Sequence, residues 1–167
     1  IITALNKEKY EIEIHKHDAL FTVEDSKKLR GKIKGAHSKN LFLKNKKGNF
    51  FLLSCEESDE VDLKKISKFL NLGNISFAKE EYLDKYLGIK PGSVSPFALL
   101  NDKQDKVEFY LEAKLYDSNF VNFHPLINTA TITMKTDKFI DFMIDNRKKI
   151  HIFSSTEKKI LKTYNYE

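Results

Sequence analysis

The chain has 167 residues, of which 41% are hydrophobic and 32% are charged, and its formal net charge is +5. This length and apolar content suit one domain with a single core, because two domains would each lack apolar residues. The thirteen phenylalanines argue against disorder, and no apolar run approaches the roughly 20 residues of a membrane span. We therefore expect one domain over 1–167, with 155–167 as a flexible tail holding at most one weak helical turn.

Three features of the sequence argue against other classes of protein. Cys55 is the single cysteine, so an internal disulfide is impossible, and its apolar surroundings predict a buried thiol. His15 and His17 would share one face of a strand, but no third ligand follows nearby, so we expect no metal and no cofactor. The amino terminus has no leader-like pattern, which favours a cytoplasmic location.

The first part of the chain is predicted to form strands around one short helix. Alternation over residues 10–14 predicts a strand, and a capping sequence at Thr22 predicts a helix to about Leu29. Further strands are predicted at 33–36, 41–43 and 50–53. The polar segment 45–49 joins the last two as a hairpin.

Helices and strands alternate irregularly after the hairpin. Asp62 is expected to cap a helix that ends before Gly73, and a helix over 80–87 is expected to stop at Gly88. Residues 91–96 interrupt all periodicity and predict an ordered loop. A later helix, capped by Thr136 or Asp137, is predicted to run to about Asn146. The remaining predicted strands cover 75–78, 107–111, 120–123, 129–134 and 150–153.

This order of elements predicts the class of fold. Several strands are joined by short turns, so a doubly wound parallel sheet does not fit. We expect an α+β (mixed α/β) single domain with a curved, mixed, mostly antiparallel sheet flanked by helices.

The standard catalytic motifs are mostly absent from the sequence. It contains neither GxxxxGK[ST] nor GxGxxG, which disfavours nucleotide triphosphate and dinucleotide chemistry. The segment 92–96 resembles a nucleophile elbow only superficially, because the second glycine is missing. No paired carboxylates and no Cys/His arrangement are evident, so the sequence indicates no covalent nucleophile.

Three segments carry a more specific pattern. They are Ser38-Lys39-Asn40-Leu41-Phe42-Leu43-Lys44, Gly92-Ser93-Val94-Ser95-Pro96, and Phe123-His124-Pro125-Leu126 with Asn128-Thr129-Ala130-Thr131. In this order and spacing they resemble the YbaK and prolyl-tRNA-synthetase-associated editing domain family, as do 17–24 and 77–81. The resemblance runs from about Tyr10 to Phe153. Within the family, the first and third segments look most like the free-standing alanyl-tRNA(Pro) deacylases, and Glu112 departs from a frequent Asp.

The resemblance implies a YbaK-like fold and an enzyme that hydrolyses the ester of mischarged Ala-tRNA(Pro). Its substrate would be the tRNA(Pro) acceptor end charged with a small amino acid. The catalytic positions it implies are Lys39, Asn40, Gly92, Ser93 and His124. The amino-acid pocket it implies is lined by Val94, Ser95, Pro96, Phe123, Asn128 and Thr129.

These residue types suit ester hydrolysis. The Lys39 ammonium would hold a phosphate or the terminal ribose, and Asn40 would orient a ribose hydroxyl. Backbone amides of 93–95, in a loop restricted by prolines and Gly92, would act as fixed donors to the developing oxyanion. The vicinal hydroxyl of the terminal adenosine would assist the attacking water.

A basic stretch predicts the surface that contacts tRNA. No acidic residue occurs between Ser26 and Glu56. The predicted tRNA-binding residues are Lys27, Lys28, Arg30, Lys32, Lys34, Lys44, Lys46 and Lys47. Phosphate contacts of this kind would make binding salt-dependent, whereas the ordinary alternative is a set of solvated lysines.

Two other functions fit the same pattern. One is a Cys-tRNA(Pro) deacylase of the same family, although that branch usually lacks the Asn at position 40. The other is a non-catalytic tRNA-binding appendage of a prolyl-tRNA synthetase. Prolyl-tRNA synthetase and an elongation factor are candidate partners, no membrane partner is expected, and the expected state is a monomer.

Overall fold

A computed structural model describes residues 8–17, 33–127 and 129–166, and within them one sheet dominates the fold. The strands are β1 (Glu13–Lys16), β2 (Ala36–Asn45), β3 (Phe50–Glu56), β4 (Ile75–Phe77), β5 (Val107–Glu112), β6 (Phe120–Phe123), β7 (Ala130–Lys135), β8 (Ile150–Ser154) and β9 (Lys159–Tyr164). Their order across the sheet is β1-β7-β6-β2-β3-β5-β8-β9, and β4 pairs with the end of β2.

The sheet is mixed. The pairs β2–β6, β3–β5 and β5–β8 are parallel, and the other five pairs are antiparallel. This confirms the predicted mixed, mostly antiparallel sheet.

Short helices connect and cover the strands. They are α1 (Leu63–Phe69), α2 (Glu80–Tyr82), which continues as one π turn (Leu83–Leu87), a 3-10 turn (Pro96–Asn101), α3 (Ala113–Tyr116) and α4 (Thr136–Asp145). Asp62 caps α1 by accepting a hydrogen bond from the Lys65 amide at 3.2 Å, as predicted. Gly88 ends the π turn with φ of 63°, a left-handed conformation that favours glycine. No helix in the described ranges is long and apolar enough to span a bilayer.

Apolar side chains pack on both faces of the sheet. Alternate residues of β3 divide between two cores, because successive strand side chains point to opposite faces. Leu52 belongs to the first core, which α4 covers through Phe139 and Phe142. Leu53 belongs to the second core, which α1 covers through Ile66. We use "first face" and "second face" for these two sides of the sheet.

Four local predictions need correction. The strand predicted at 41–43 is part of a longer strand, β2, which begins at Ala36 and whose polar middle pairs with β3 from Ser38 opposite Glu56 onward, and residues 33–35 of the strand predicted at 33–36 are not in a strand. The first strand covers 13–16 rather than 10–14. The predicted tail at 155–167 contains β9, paired antiparallel with β8, instead of a helical turn. The predicted cap of α4 is also wrong, because Thr136 is its first residue and its hydroxyl donates to the Ser118 carbonyl.

One predicted helix cannot be compared with the structure, and two observed elements were not predicted. The helix predicted from Thr22 to Leu29 falls outside the described residues. The 3-10 turn and α3 have no counterpart among the predictions, because six and four residues are too few for a helical period to appear.

Candidate functional site

Polar side chains occupy the part of the second face that α1 leaves uncovered. His37 on β2 lies opposite Asn122 on β6 in parallel register. Lys39, two residues further along β2, and His124, which directly follows β6, continue the alternation on the same face. Asn122 and the neighbouring Thr133 of β7 are almost completely buried, at 3% and 1% exposure.

We call this region the polar face. It comprises His17, His37, Lys39, Glu57, Asn122, His124, Thr131 and Thr133. Where the contacts are described, its buried groups bond to one another or to backbone carbonyls: the Thr133 hydroxyl donates to Asn122 Oδ1, and Asn122 Nδ2 donates to the Lys34 carbonyl at 2.9 Å. A buried polar surface next to two apolar cores is the expected setting of a ligand site.

His124 presents one ring nitrogen to the polar face in a defined state. Its Nδ1 lies 2.9 Å from the carbonyl oxygen of Ala130. A carbonyl oxygen only accepts hydrogen bonds, so the proton resides on Nδ1 and the neutral ring keeps a lone pair on Nε2. The backbone of β7 thus fixes the tautomer of His124.

Burial holds His124 neutral. It lowers the pKa of the ring below its ordinary value of 6.5, whereas the hydrogen bond to Ala130 opposes that shift. Nearby His17 and His37 lower the pKa further and the Glu57 carboxylate raises it. His17 lies close to His124, with ring centroids 6.2 Å apart, and its own Nε2 lies 2.8 Å from Thr131 Oγ1.

Lys39 is held by the turn that follows β3. Its ammonium donates to the backbone carbonyl of Asp59. The Asp59 carboxylate in turn pairs with Lys114 of α3 at 2.7 Å. This turn therefore fixes the position of the ammonium on the polar face.

Cys55, the register partner of Lys39, is buried at 3% exposure, as predicted. Burial raises the pKa of its thiol to about 12, although Lys39 acts in the opposite direction. A thiol in this state is almost never ionised near neutral pH, so Cys55 is unsuited to act as a nucleophile.

Asn40 points to the opposite face from Lys39. Its amide nitrogen donates to Ser38 Oγ at 3.2 Å, and its Oδ1 accepts from the Ser54 hydroxyl. Adjacent residues of a strand cannot share a face, so the two side chains do not act from the same side of the sheet. In the described contacts Asn40 joins β2 to β3.

The glycine-proline loop is a tight turn followed by a 3-10 turn. Gly92 has φ of 88°, and the Ser93 amide donates to the Lys90 carbonyl at 3.2 Å. The buried Ser95 hydroxyl accepts from the Phe97 amide and so caps the 3-10 turn that begins at Pro96. The predicted role of the Ser93 amide as an oxyanion donor therefore needs correction, because that amide is already engaged. Across the described chain, the amides at 94 and 95 donate to no backbone carbonyl.

The predicted pocket residues are not all brought together. Phe123 packs in the first core with ring centroids 5.8 Å from Phe97 and 4.7 Å from Phe139, so it does not share a face with His124. Val94 packs against the same core. Thr129 is exposed, and its carbonyl accepts from the His17 amide at 2.9 Å. Asn128 lies outside the described residues.

The described lysines of the basic stretch do not lie on one surface. Lys34 pairs with Glu13 at 3.1 Å near the start of β2. Lys44 lies over the Tyr82 ring at 5.4 Å, and Lys46 and Lys47 sit in the hairpin at the other end of β2. A ten-residue strand separates these ends by about 30 Å. Lys27, Lys28, Arg30 and Lys32 lie outside the described residues.

Sequence comparison identifies the family. The family described as the aminoacyl-tRNA editing domain matches this chain over residues 17–142. The chain belongs to the aminoacyl-tRNA editing domain family. This confirms the family inferred from the three segments and the enzyme class, an aminoacyl-tRNA hydrolase.

Individual relatives share most of the length of this editing domain. It is 33% identical over 135 residues to the prolyl-tRNA editing protein ProX of Acetoanaerobium sticklandii, covering 80% of this chain and 82% of that protein. It is 39% identical over 132 residues to the prolyl-tRNA synthetase associated domain-containing protein 1 of Xenopus laevis, covering 76% and 78%. A crystal structure of a candidate trans-editing enzyme for prolyl tRNA synthetase has the same fold, with a TM-score of 0.63, 15% identity, and 89% and 92% coverage.

Several residues of the editing domain's polar face escaped the site prediction. His37 and Glu57 are joined through the backbone, since the Glu57 amide donates to the His37 carbonyl at 2.8 Å. Asn122, Thr131 and Thr133 alternate with apolar residues, a pattern that usually marks a solvated strand face. Only their burial distinguishes them from such a face. Across the residues that the structure describes, no group of three or more His, Cys, Asp or Glu side chains is arranged to hold a metal.

The lowered pKa of His124 predicts the acid limb of the pH profile. Activity that needs the neutral ring should persist below the ordinary histidine value of 6.5 and decline only as pH falls through the lowered pKa. Protonation would replace the Nε2 lone pair with a donor and a positive charge, facing His17, His37, Lys39 and Glu57. Measuring kcat from about pH 5 to about pH 8 tests this, with His124→Gln expected to flatten the acid limb. A wild-type midpoint above 6.5 would contradict the assignment.

Proposed function

We propose that this editing domain hydrolyses the ester bond of mischarged alanyl-tRNA(Pro). The observation that carries the proposal is a neutral His124 on the polar face, directly after β6, with the Lys39 ammonium on the same face of the paired strand β2. A cation and a lone-pair acceptor on one face suit the terminal ribose or phosphate and the aminoacyl group of one substrate.

Lys39 holds the nucleic-acid end in this proposal. A charge pair at 4 Å is worth about 1 kcal/mol in bulk water and about 4 kcal/mol where the effective dielectric is near 20. Lys39 is half-buried, which favours the stronger end of that range. On substrate binding the ammonium exchanges the Asp59 carbonyl for the anionic ligand.

The chemistry proceeds through water rather than through an enzyme nucleophile. The high pKa of Cys55 supports this, because the thiolate is scarcely populated. The vicinal hydroxyl of the terminal adenosine assists the water.

Alanine is the proposed amino acid because the Lys39-Asn40-Leu41 segment resembles the alanyl branch of the family. A small pocket rejects the larger prolyl group by overpacking, but it separates substrates that differ by one methylene by only about 1 to 3 kcal/mol. Contacts with tRNA(Pro) therefore have to add specificity. The names of the relatives, which refer to prolyl-tRNA editing, support tRNA(Pro) as the nucleic acid.

A side-by-side assay tests the proposal. Purified protein is incubated with alanyl-, cysteinyl- and seryl-tRNA(Pro), with prolyl-tRNA(Pro) as the control that must stay intact. We expect fastest release of alanine. Preferential release of cysteine would assign the chain to the cysteinyl branch, and tight tRNA binding without release of any amino acid would indicate a non-catalytic appendage.

A further inference from the structure

The outer side of α1 carries a row of lysines. Ile66 of this helix is buried against the second core, and an α-helix turns about 100° per residue. Lys64, Lys65 and Lys68 therefore project away from the sheet within an arc of about 100°, and all three are exposed. The helix itself contains no acidic residue. We call these three lysines the basic stripe.

The carboxylates around the basic stripe do not neutralise it. In the part of the chain that the structure describes, no acidic side chain lies within ion-pair distance of its three ammonium groups. In the turn before α1, Asp59 pairs with a lysine of α3 at 2.7 Å, and Asp62 accepts from the Lys65 amide at 3.2 Å. Glu60 also borders the stripe, where Lys158 lines the same cavity and offsets its charge. The stripe is therefore a surface that favours a polyanion.

An open groove at the carboxyl end of α1 adds three more lysines. The groove has a volume of about 710 Å³ and lies between the hairpin 45–49, the segment 70–74 and the start of β5. Its two carboxylates are engaged with other side chains, Asp105 with Lys148 at 3.1 Å and Glu108 with His151 at 2.7 Å. The lysines that line the groove are Lys46, Lys47 and Lys106.

The basic stripe joins this groove to the polar face. The Lys39 ammonium donates to the carbonyl of Asp59, and the turn that contains Asp59 leads directly into α1. The groove begins at Asn45, six residues after Lys39 on the same strand and about 20 Å away from it. Lysines thus continue along the second face from the polar face to the hairpin end of the sheet.

We propose that the basic stripe and the lysines of the groove hold the phosphate backbone of the tRNA acceptor stem while the ester lies at the polar face. This inference rests on the proposed function, which places the 3′ end of the tRNA at Lys39. The acceptor stem continues from that end as a duplex, and double-stranded RNA is recognised mainly through its shape and its phosphates. Contacts of this kind position the substrate and carry no base sequence.

Two substrates separate the stem from the ester. One is an acceptor-stem hairpin of tRNA(Pro) charged with alanine, and the other is the alanylated trinucleotide CCA, which has the same ester and no stem. The informative variant combines Lys64→Gln, Lys65→Gln and Lys68→Gln, because Gln has a helix propensity close to that of Lys. We expect kcat/KM to fall by about tenfold or more for the hairpin at about 0.1 M salt and to stay unchanged for alanyl-CCA.

The salt dependence of turnover tests whether the lysines contact phosphates. A plot of log kcat/KM for the hairpin against log salt concentration should lose roughly 0.9 in slope for each lysine that contacts a duplex phosphate. Arg at the same three positions keeps the charge, so it should preserve both the turnover and the slope.

The matched control removes three lysines from the other side of the sheet. It combines Lys79→Gln, Lys85→Gln and Lys138→Gln, at the start of α2, in the π turn and in α4, which pack on the first core. Charges beyond the Debye length of about 10 Å are largely screened at about 0.1 M salt. The hairpin value should therefore stay within about threefold of that of the wild-type protein.

Three results would overturn the inference. They are unchanged turnover of the hairpin, an equal loss with alanyl-CCA, which would place the effect in the fold or at the ester, and an equal loss in the control, which would reflect net charge alone. If the wild-type protein released no alanine from either substrate, the proposed function would fail, and affinities for the hairpin would still decide the inference. Weaker binding in the basic-stripe variant alone would support it, and equal affinities would refute it.

Discussion

Replacing Lys39 with Ala should lower kcat/KM for alanyl-tRNA(Pro) by at least about a hundredfold while leaving the fold intact. Lys39 is half-buried, which favours the stronger end of the range of about 1 to 4 kcal/mol for a cation beside an anionic ligand, and because each 1.4 kcal/mol is a factor of ten, about 3 kcal/mol is about a hundredfold. The fold should survive because the ammonium has one described partner, a backbone carbonyl at the protein's surface turn. Rates of amino-acid release and circular dichroism together measure both outcomes.

Lys44→Ala is the control for that experiment. It removes an equal charge from the same strand, at a position where the ammonium lies over the Tyr82 ring. We expect kcat/KM to fall by less than about tenfold. If Lys44 contacts tRNA, that loss should appear in KM and should depend on salt concentration. Equal effects of the two substitutions would remove Lys39 from the catalytic site.

Phe97→Ala should destabilise the protein by about 3 to 5 kcal/mol, which is a large part of the stability of a domain this size. Phe97 is completely buried and packs edge-to-face against Phe123, Phe139 and Phe142. Removing the ring leaves a cavity between the sheet and α4 that neighbouring aromatic side chains cannot fill by small shifts. Urea denaturation measures the change in the free energy of unfolding.

Phe77→Ala provides the comparison for the core substitution. Its ring is 62% exposed on β4, so its loss should change the free energy of unfolding by no more than about 0.5 kcal/mol. Comparable losses from Phe97→Ala and Phe77→Ala would show that the packing of the first core does not determine stability.

Local signals predicted those parts of the fold that depend on neighbouring residues. Asp62 and Gly88 were predicted as helix boundaries, and both perform that role through their own backbone and side-chain geometry. The continuity of β2 through Ser38 and Asn40 was missed, because polar residues in a strand usually indicate a break. Here Ser54 on β3 satisfies Asn40, and that partner becomes visible only when the strands are paired.

The site was predictable in part for a similar reason. The three motif segments identified Lys39 and His124, which lie on the same face of the sheet. Strand alternation already implies that Asn40 and Phe123 face away from them, so that separation was available from the sequence. The contributions of His37 and Glu57 to the site could not be predicted from the sequence, because they depend on the register between distant strands and on burial.

Because the Cys55 thiol is buried and protonated, its alkylation can report on the opening of the strand pair at the edge of the site. Alkylating reagents attack thiolates, so native protein should resist them near neutral pH, and modification must wait for β2 to separate from β3 at Lys39. Labelling rates then measure how often this strand pair opens. A bound acceptor end would hold Lys39 in place and so keep β2 paired with β3. We therefore expect ligand binding to slow the alkylation of Cys55, although the ligand does not contact Cys55.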